Sequence, residues 1–156
     1  MPKSEPQVEP LQEIHYRGQL ARFRVPAHWT VEIDADNGDC FYDPDSPGTL
    51  RLNVLTFATP STTRANFDVP HKEGRRVLET CALPSGCHMT VTETITAEDG
   101  EPLVLHTWRL GYQAGSLVHV YVFTYSYGLP LEAVQDELQL LDREIRLMHP
   151  APATDV

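Results

Sequence analysis

Cys81, Cys87 and His88 are the residues whose types and spacing come nearest to a chemical site in this chain. Two thiolates and an imidazole would hold zinc if Cys40 or another histidine completed a tetrahedron. Yet five residues separate the two cysteines, where a structural zinc knuckle puts about two to four between its own. A redox pair is the other chemistry open to Cys81 and Cys87, if the loop between them lets the sulfurs meet. The plainer reading puts Cys81 on a helix face, Cys87 at a strand start and His88 in solvent. No metal site is assigned on this pattern, and Cys81, Cys87 and His88 remain the candidates should one exist.

The other chemical residues are scattered. Among seven histidines, His15, His28, His71, His88, His106, His119 and His149, no two stand at metal-binding spacing. His106 and His119 are expected to approach across the last hairpin, beside Trp108 and Tyr121, as a small pocket. Asp34–Asp39 resembles a calcium loop only in its acidity. Counted from Asp34, the sixth position is Asp39 and the twelfth Asp45, where glycine and glutamate are required. Ser85 lies in Pro84-Ser85-Gly86, not in a nucleophile elbow. Nothing orders a catalytic triad, so the chain reads as a non-enzyme without a cofactor.

The elements that must position these residues are clearest at the C-terminal end. Val134, Leu138, Leu141, Ile145 and Met148 form one apolar stripe at helical spacing. Pro130 suits the first turn of that helix, and Pro150 stops it. Before it, Leu103–Tyr112 and Leu117–Tyr127 alternate as a hairpin around Gln113-Ala114-Gly115. Both faces of the second strand are apolar or aromatic, as in a central strand covered on both sides. Trp108, Tyr112, Tyr121, Phe123 and Tyr125, with Tyr127, are therefore the candidate partner-binding group. One set is expected to face the terminal helix, and the other a second helix or a partner.

Further upstream, Leu20–Val25, Trp29–Ile33, Cys40–Tyr42 and Leu50–Phe57 read as strands. Asn37-Gly38 is the expected hairpin tip, and Asp43–Gly48 a turn. Val69–Cys81 is expected to hold a second helix, although Gly74 weakens it by about 1 kcal/mol. His88–Ala97 alternates as a strand and turns at Glu98-Asp99-Gly100. The order gives an α+β domain on an antiparallel sheet of about six to seven strands with helices packed against it. The expected boundaries are a polar tail at 1–13, one domain at 14–149 and a second tail at 150–156.

Composition narrows the partners. The net charge is −10, from 22 acidic and 12 basic residues. Such a surface repels phosphate backbones and anionic membranes. No apolar run approaches a membrane span. Residues 1–13 lack an apolar signal segment, so a cytoplasmic location is expected, with Cys40, Cys81 and Cys87 reduced. The partner expected is a protein, and the chain is expected as a monomer or homodimer.

The stretch Phe23-Arg24-Val25-Pro26-Ala27-His28-Trp29, the segment Phe41–Pro44 with the Leu50–Phe57 strand, and the final strand pair with its helix resemble the PsbP-like superfamily. That group includes the photosystem PsbP proteins, the Ran-binding Mog proteins, the DcrB family and the adaptor chaperones of type VI secretion effectors. The resemblance spans roughly residues 20–148 and implies an α/β/α sandwich, with helices on both faces of the sheet. It also implies an adaptor or accessory chaperone, in its most specific version one for a bacterial secreted effector. A small-ligand- or metal-binding accessory protein, centred on His106 and His119 or on Cys81 and Cys87, is the alternative.

Overall fold

The computed structural model describes residues 10–33, 39–60 and 64–152. The expected tip at Asn37-Gly38 lies outside these residues, as do Asp34 and Asp36. Among these residues, ten strands and one α-helix follow in order. They are β1 Leu11–Tyr16, β2 Ala21–Pro26, β3 Thr30–Glu32, β4 Asp39–Tyr42, β5 Thr49–Ala58, β6 Arg75–Ala82, β7 His88–Glu98, β8 Glu101–Ala114, β9 Leu117–Gly128, α1 Gln135–Arg146 and β10 His149–Pro150. A 3₁₀ turn at Leu131–Ala133 leads into α1.

Every strand pairing is antiparallel. One sheet has seven strands in the order β3-β4-β5-β9-β8-β7-β6, and a second has three in the order β1-β2-β10. The long hairpins set the register. Glu98 pairs with Glu101 across Asp99-Gly100. Both turn residues have positive φ, 51° and 81°, the conformation that matches the twist of the flanking strands. Ala114 pairs with Leu117 at the next turn, which puts Trp108 opposite Phe123 and Leu110 opposite Tyr121.

The period of two then sorts side chains onto the two faces. The inner face carries Trp108, Leu110, Tyr121, Phe123 and Tyr125, all without solvent exposure. Against it pack Val134, Leu141, Ile145 and Met148, with Leu138 half-buried, so the expected apolar stripe is the buried one. The three-stranded sheet covers the rest of this face. Phe23 stands edge-on to Phe41 and to Phe123, with centroids 5.3 and 5.1 Å away. Trp29 is buried, and the corner before it is pinned by Gln12, whose amide donates to the carbonyls of Pro26 and Trp29 at 3.1 Å each. Buried Glu144 of α1 accepts from Arg24 at 2.8 Å and from Arg143 at 3.0 Å, joining helix to β2.

Three expectations need correction. No second helix forms at Val69–Cys81. Gly74 takes φ +80°, which interrupts a helix there, and Arg75–Ala82 pairs with β7 as an edge strand, bulged between Val77 and Glu79. Pairing along β7 outweighs the local helical pattern. Among the described residues the sheet thus carries one α-helix rather than helices on both faces. Its outer face is crossed instead by irregular chain from residue 64 to 72, which sets Phe67 over Gly111. Leu11, Gln12 and Glu13, expected within the 1–13 tail, instead pair with Pro26, Val25 and Arg24 as part of β1. At the other end Pro150 pairs with Ala21. Among the described residues no helix is long and apolar enough to cross a membrane.

Candidate functional site

The aromatic group is interior. Trp108, Tyr121, Phe123 and Tyr125 are fully buried under α1 and β2, and Tyr112 is half-buried. Their alternating positions place them on the inner face together, so they form no open partner surface. The hydroxyls and indole instead make ties. Tyr121 donates to the Leu20 carbonyl at 2.8 Å and accepts from the Ala151 N–H at 3.0 Å. Burial raises its phenol to about 12. Tyr125 donates to Glu137 at 2.9 Å, and burial first, then the Glu137 charge, pushes its phenol far up.

The histidines and cysteines do not converge. Tyr112 lies opposite His119, and Tyr125 opposite His106. His106 and Tyr112 are six positions apart on β8, so the two histidines are separated by about 20 Å of sheet. His119 shares a 2.9 Å hydrogen bond with Thr56, and burial lowers its pKa. Cys81 pairs with Met89 and Ala82 with His88, so Cys81 and His88 point to opposite faces. His88 stacks on Phe67. Cys87 is buried in the core, where desolvation raises its thiol pKa and leaves it a poor nucleophile. All three cysteines are free. Among the described residues no group of three or more histidine, cysteine or acidic side chains is placed to hold a metal ion.

What the fold does build is a groove of about 460 Å³ between α1 and the β6 side of the sheet. Leu78, Val91 and Leu138 give it an apolar lining, and His106, Asp142 and Arg146 a polar one. The polar groups hold one another. Trp108 donates its indole N–H to Asp142 Oδ1 at 2.9 Å, and Arg146 Nε donates to Asp142 Oδ2 at 3.0 Å. Arg146 also pairs with Glu79 across the groove, and these two bonds raise its pKa. His106 lies 4.5 Å edge-on to Trp108. Its pKa is lowered because desolvation outweighs the pull of Asp142 and Glu93. The outer edge of β6 pairs with no described strand, and Leu78 beside it is 42% exposed. An unpaired edge next to exposed apolar surface is a template for another chain.

Of the groove residues, only His106 stood among the sequence candidates. Leu78 and Glu79 were hidden by the expected helix. Leu138 belongs to the apolar stripe but sits at its margin. The Asp142–Arg146 spacing of i, i+4 marked an ion pair on α1, without pointing to its partner Glu79 on a distant strand.

No protein-family model matches the chain, and neither does any curated protein. Solved structures do match its fold. LpqN, involved in cell envelope biogenesis of Mycobacterium tuberculosis, superposes with a TM-score of 0.61 at 12% identity, over 92% of this chain and 91% of LpqN. The Ran-binding protein Mog1p of Saccharomyces cerevisiae gives 0.56 at 9% identity, over 92% and 97%. A Bacteroides thetaiotaomicron protein gives 0.55 at 12% identity, over 90% of this chain and 48% of its own. The chain has the Mog1 and PsbP-like fold.

Proposed function

We propose that this protein is a non-catalytic accessory protein that holds a segment of another protein in the groove between α1 and β6. The observation that carries this reading is the groove itself. It joins an apolar lining, a polar rim fixed by Arg146, and an edge strand whose backbone groups face outward. An extended segment added along β6 would gain main-chain hydrogen bonds from the edge and specificity from the groove. No cofactor is needed. A protein partner agrees with Mog1p, which shares the fold and is Ran-binding. The finer version is an adaptor or accessory chaperone for a bacterial secreted effector, acting in the cytoplasm as a monomer or homodimer. Its support is the resemblance carried by Phe23–Trp29.

The test is a pair of groove variants, Leu78→Asp and Leu138→Asp, in a binding assay with the partner isolated on the wild-type protein. Burying an aliphatic side chain is worth about 1.5–3 kcal/mol, so each variant should bind at least about ten-fold more weakly. Leu78 is exposed in the free protein, so its replacement leaves the fold intact. Unchanged binding by both variants would end this reading.

A further inference from the structure

The outer face of the large sheet carries a second feature, remote from the groove. Thr92, Thr107 and Thr124 stand side by side on β7, β8 and β9, because Thr92 pairs with Thr107 and Thr107 with Thr124. The hydroxyls of the last two are 3.5 Å apart. Arg109 lies one step along β8 on the same face, opposite Thr90. Lys72, from the chain crossing this face, and Arg75 of β6 complete a trough of about 230 Å³ with these residues. Arg51 extends the cationic side, since it pairs with Thr124.

These cations differ from those on the α1 side. On the α1 side, Arg22, Arg24, Arg76, Arg143 and Arg146 each meet a carboxylate. Among the described residues, Arg51, Lys72, Arg75 and Arg109 form no ion pair, and the Arg75 guanidinium donates to the Pro70 carbonyl, at 3.0 Å. A protein of net charge −10 thus keeps a cluster of uncompensated positive charge around a floor of hydroxyl donors. Bringing like charges together raises the free energy of the empty site, and an anion relieves it.

We infer that this trough binds the phosphate group of a small phosphorylated molecule. A phosphate offers several oxygens in a compact dianion. That matches guanidinium forks and an ammonium gathered over threonine hydroxyls. The volume equals roughly eight waters' share of the liquid, enough for a phosphate with a small substituent and too little for a folded partner.

The experiment is a titration of the full chain with inorganic phosphate, followed by amide NMR at constant ionic strength, with chloride and acetate as comparison anions. Saturable one-site shifts centred on Thr92, Thr107 and Arg109 are expected. Losing a charge-assisted hydrogen bond should weaken binding about ten-fold or more in Arg109→Gln. Lys72 is exposed, so Lys72→Gln leaves the core untouched and serves as the second variant, with several-fold weaker binding. Unsaturable shifts, acetate binding as tight as phosphate, or wild-type affinity in a folded Arg109→Gln or Lys72→Gln protein would each overturn the inference.

Discussion

Replacing Tyr121 by phenylalanine removes one oxygen and two hydrogen bonds from the seam between the two sheets. The phenol donates to Leu20 and accepts from Ala151, so the change unpairs a carbonyl and an N–H together. Each such bond contributes about 0.5–1.5 kcal/mol net. Leu20 and Ala151 are only half-buried, so water takes up part of what is lost. The expected destabilisation is about 1–2 kcal/mol. For a chain of this length that is a fall in Tm of about 3–6 °C, read by calorimetry. The urea m-value should stay the same, because the ring still fills its place. Alkali gives an independent check. Burial raises the phenol from 10.0 to about 12. A raised acid keeps its proton in the folded state while the unfolded chain loses it. Its contribution is therefore complete below pH 10.0 and is lost as pH rises to about 12. The stability gap between wild type and Tyr121→Phe should narrow across that window. A Tm unchanged at neutral pH, or a gap that widens in alkali, would refute the reasoning.

Two further outcomes follow from the geometry. A Cβ at Gly111 would sit 2.1 Å from Phe67 Cδ1, so Gly111→Ala must displace that ring from the outer face. The cost is about 1–3 kcal/mol, and hydrogen exchange should quicken in residues 64–72. His106 should titrate below its ordinary 6.5 in proton NMR. Because Asp142 pulls that value up, Asp142→Asn should lower it further.

Much of the scaffold was legible in the chain. The stripe on α1 and the turns at Asp99-Gly100 and Gly115 have local causes, a helical period and glycine in tight hairpins. β6 was not legible, because Val77, Leu78 and Cys81 fit a helix face as well as a strand and the pairing with β7 decided between them. β1 was hidden by its interleaved polar residues, Gln12, Glu13 and His15, beside Pro10. The aromatic strands are legible as strands from their alternation. Their covered face could not be singled out, since Val118, Val120 and Val122 make the opposite face of β9 apolar too. The groove was the least legible feature. Its residues come from three strands and a helix, and only the register brings Leu78, Val91 and His106 into line with Asp142.

Site-directed photo-crosslinking in the native cells would show whether the groove between α1 and β6 holds a partner protein. A photoreactive residue is placed at Leu78 or Gln139 in the groove, and at Leu55 or Ile95 as exposed sites outside it. Binding in the groove should give one protein crosslinked from both groove positions and not from the other two. The same protein crosslinked only from Leu55 or Ile95, or no crosslink from the groove, would contradict it.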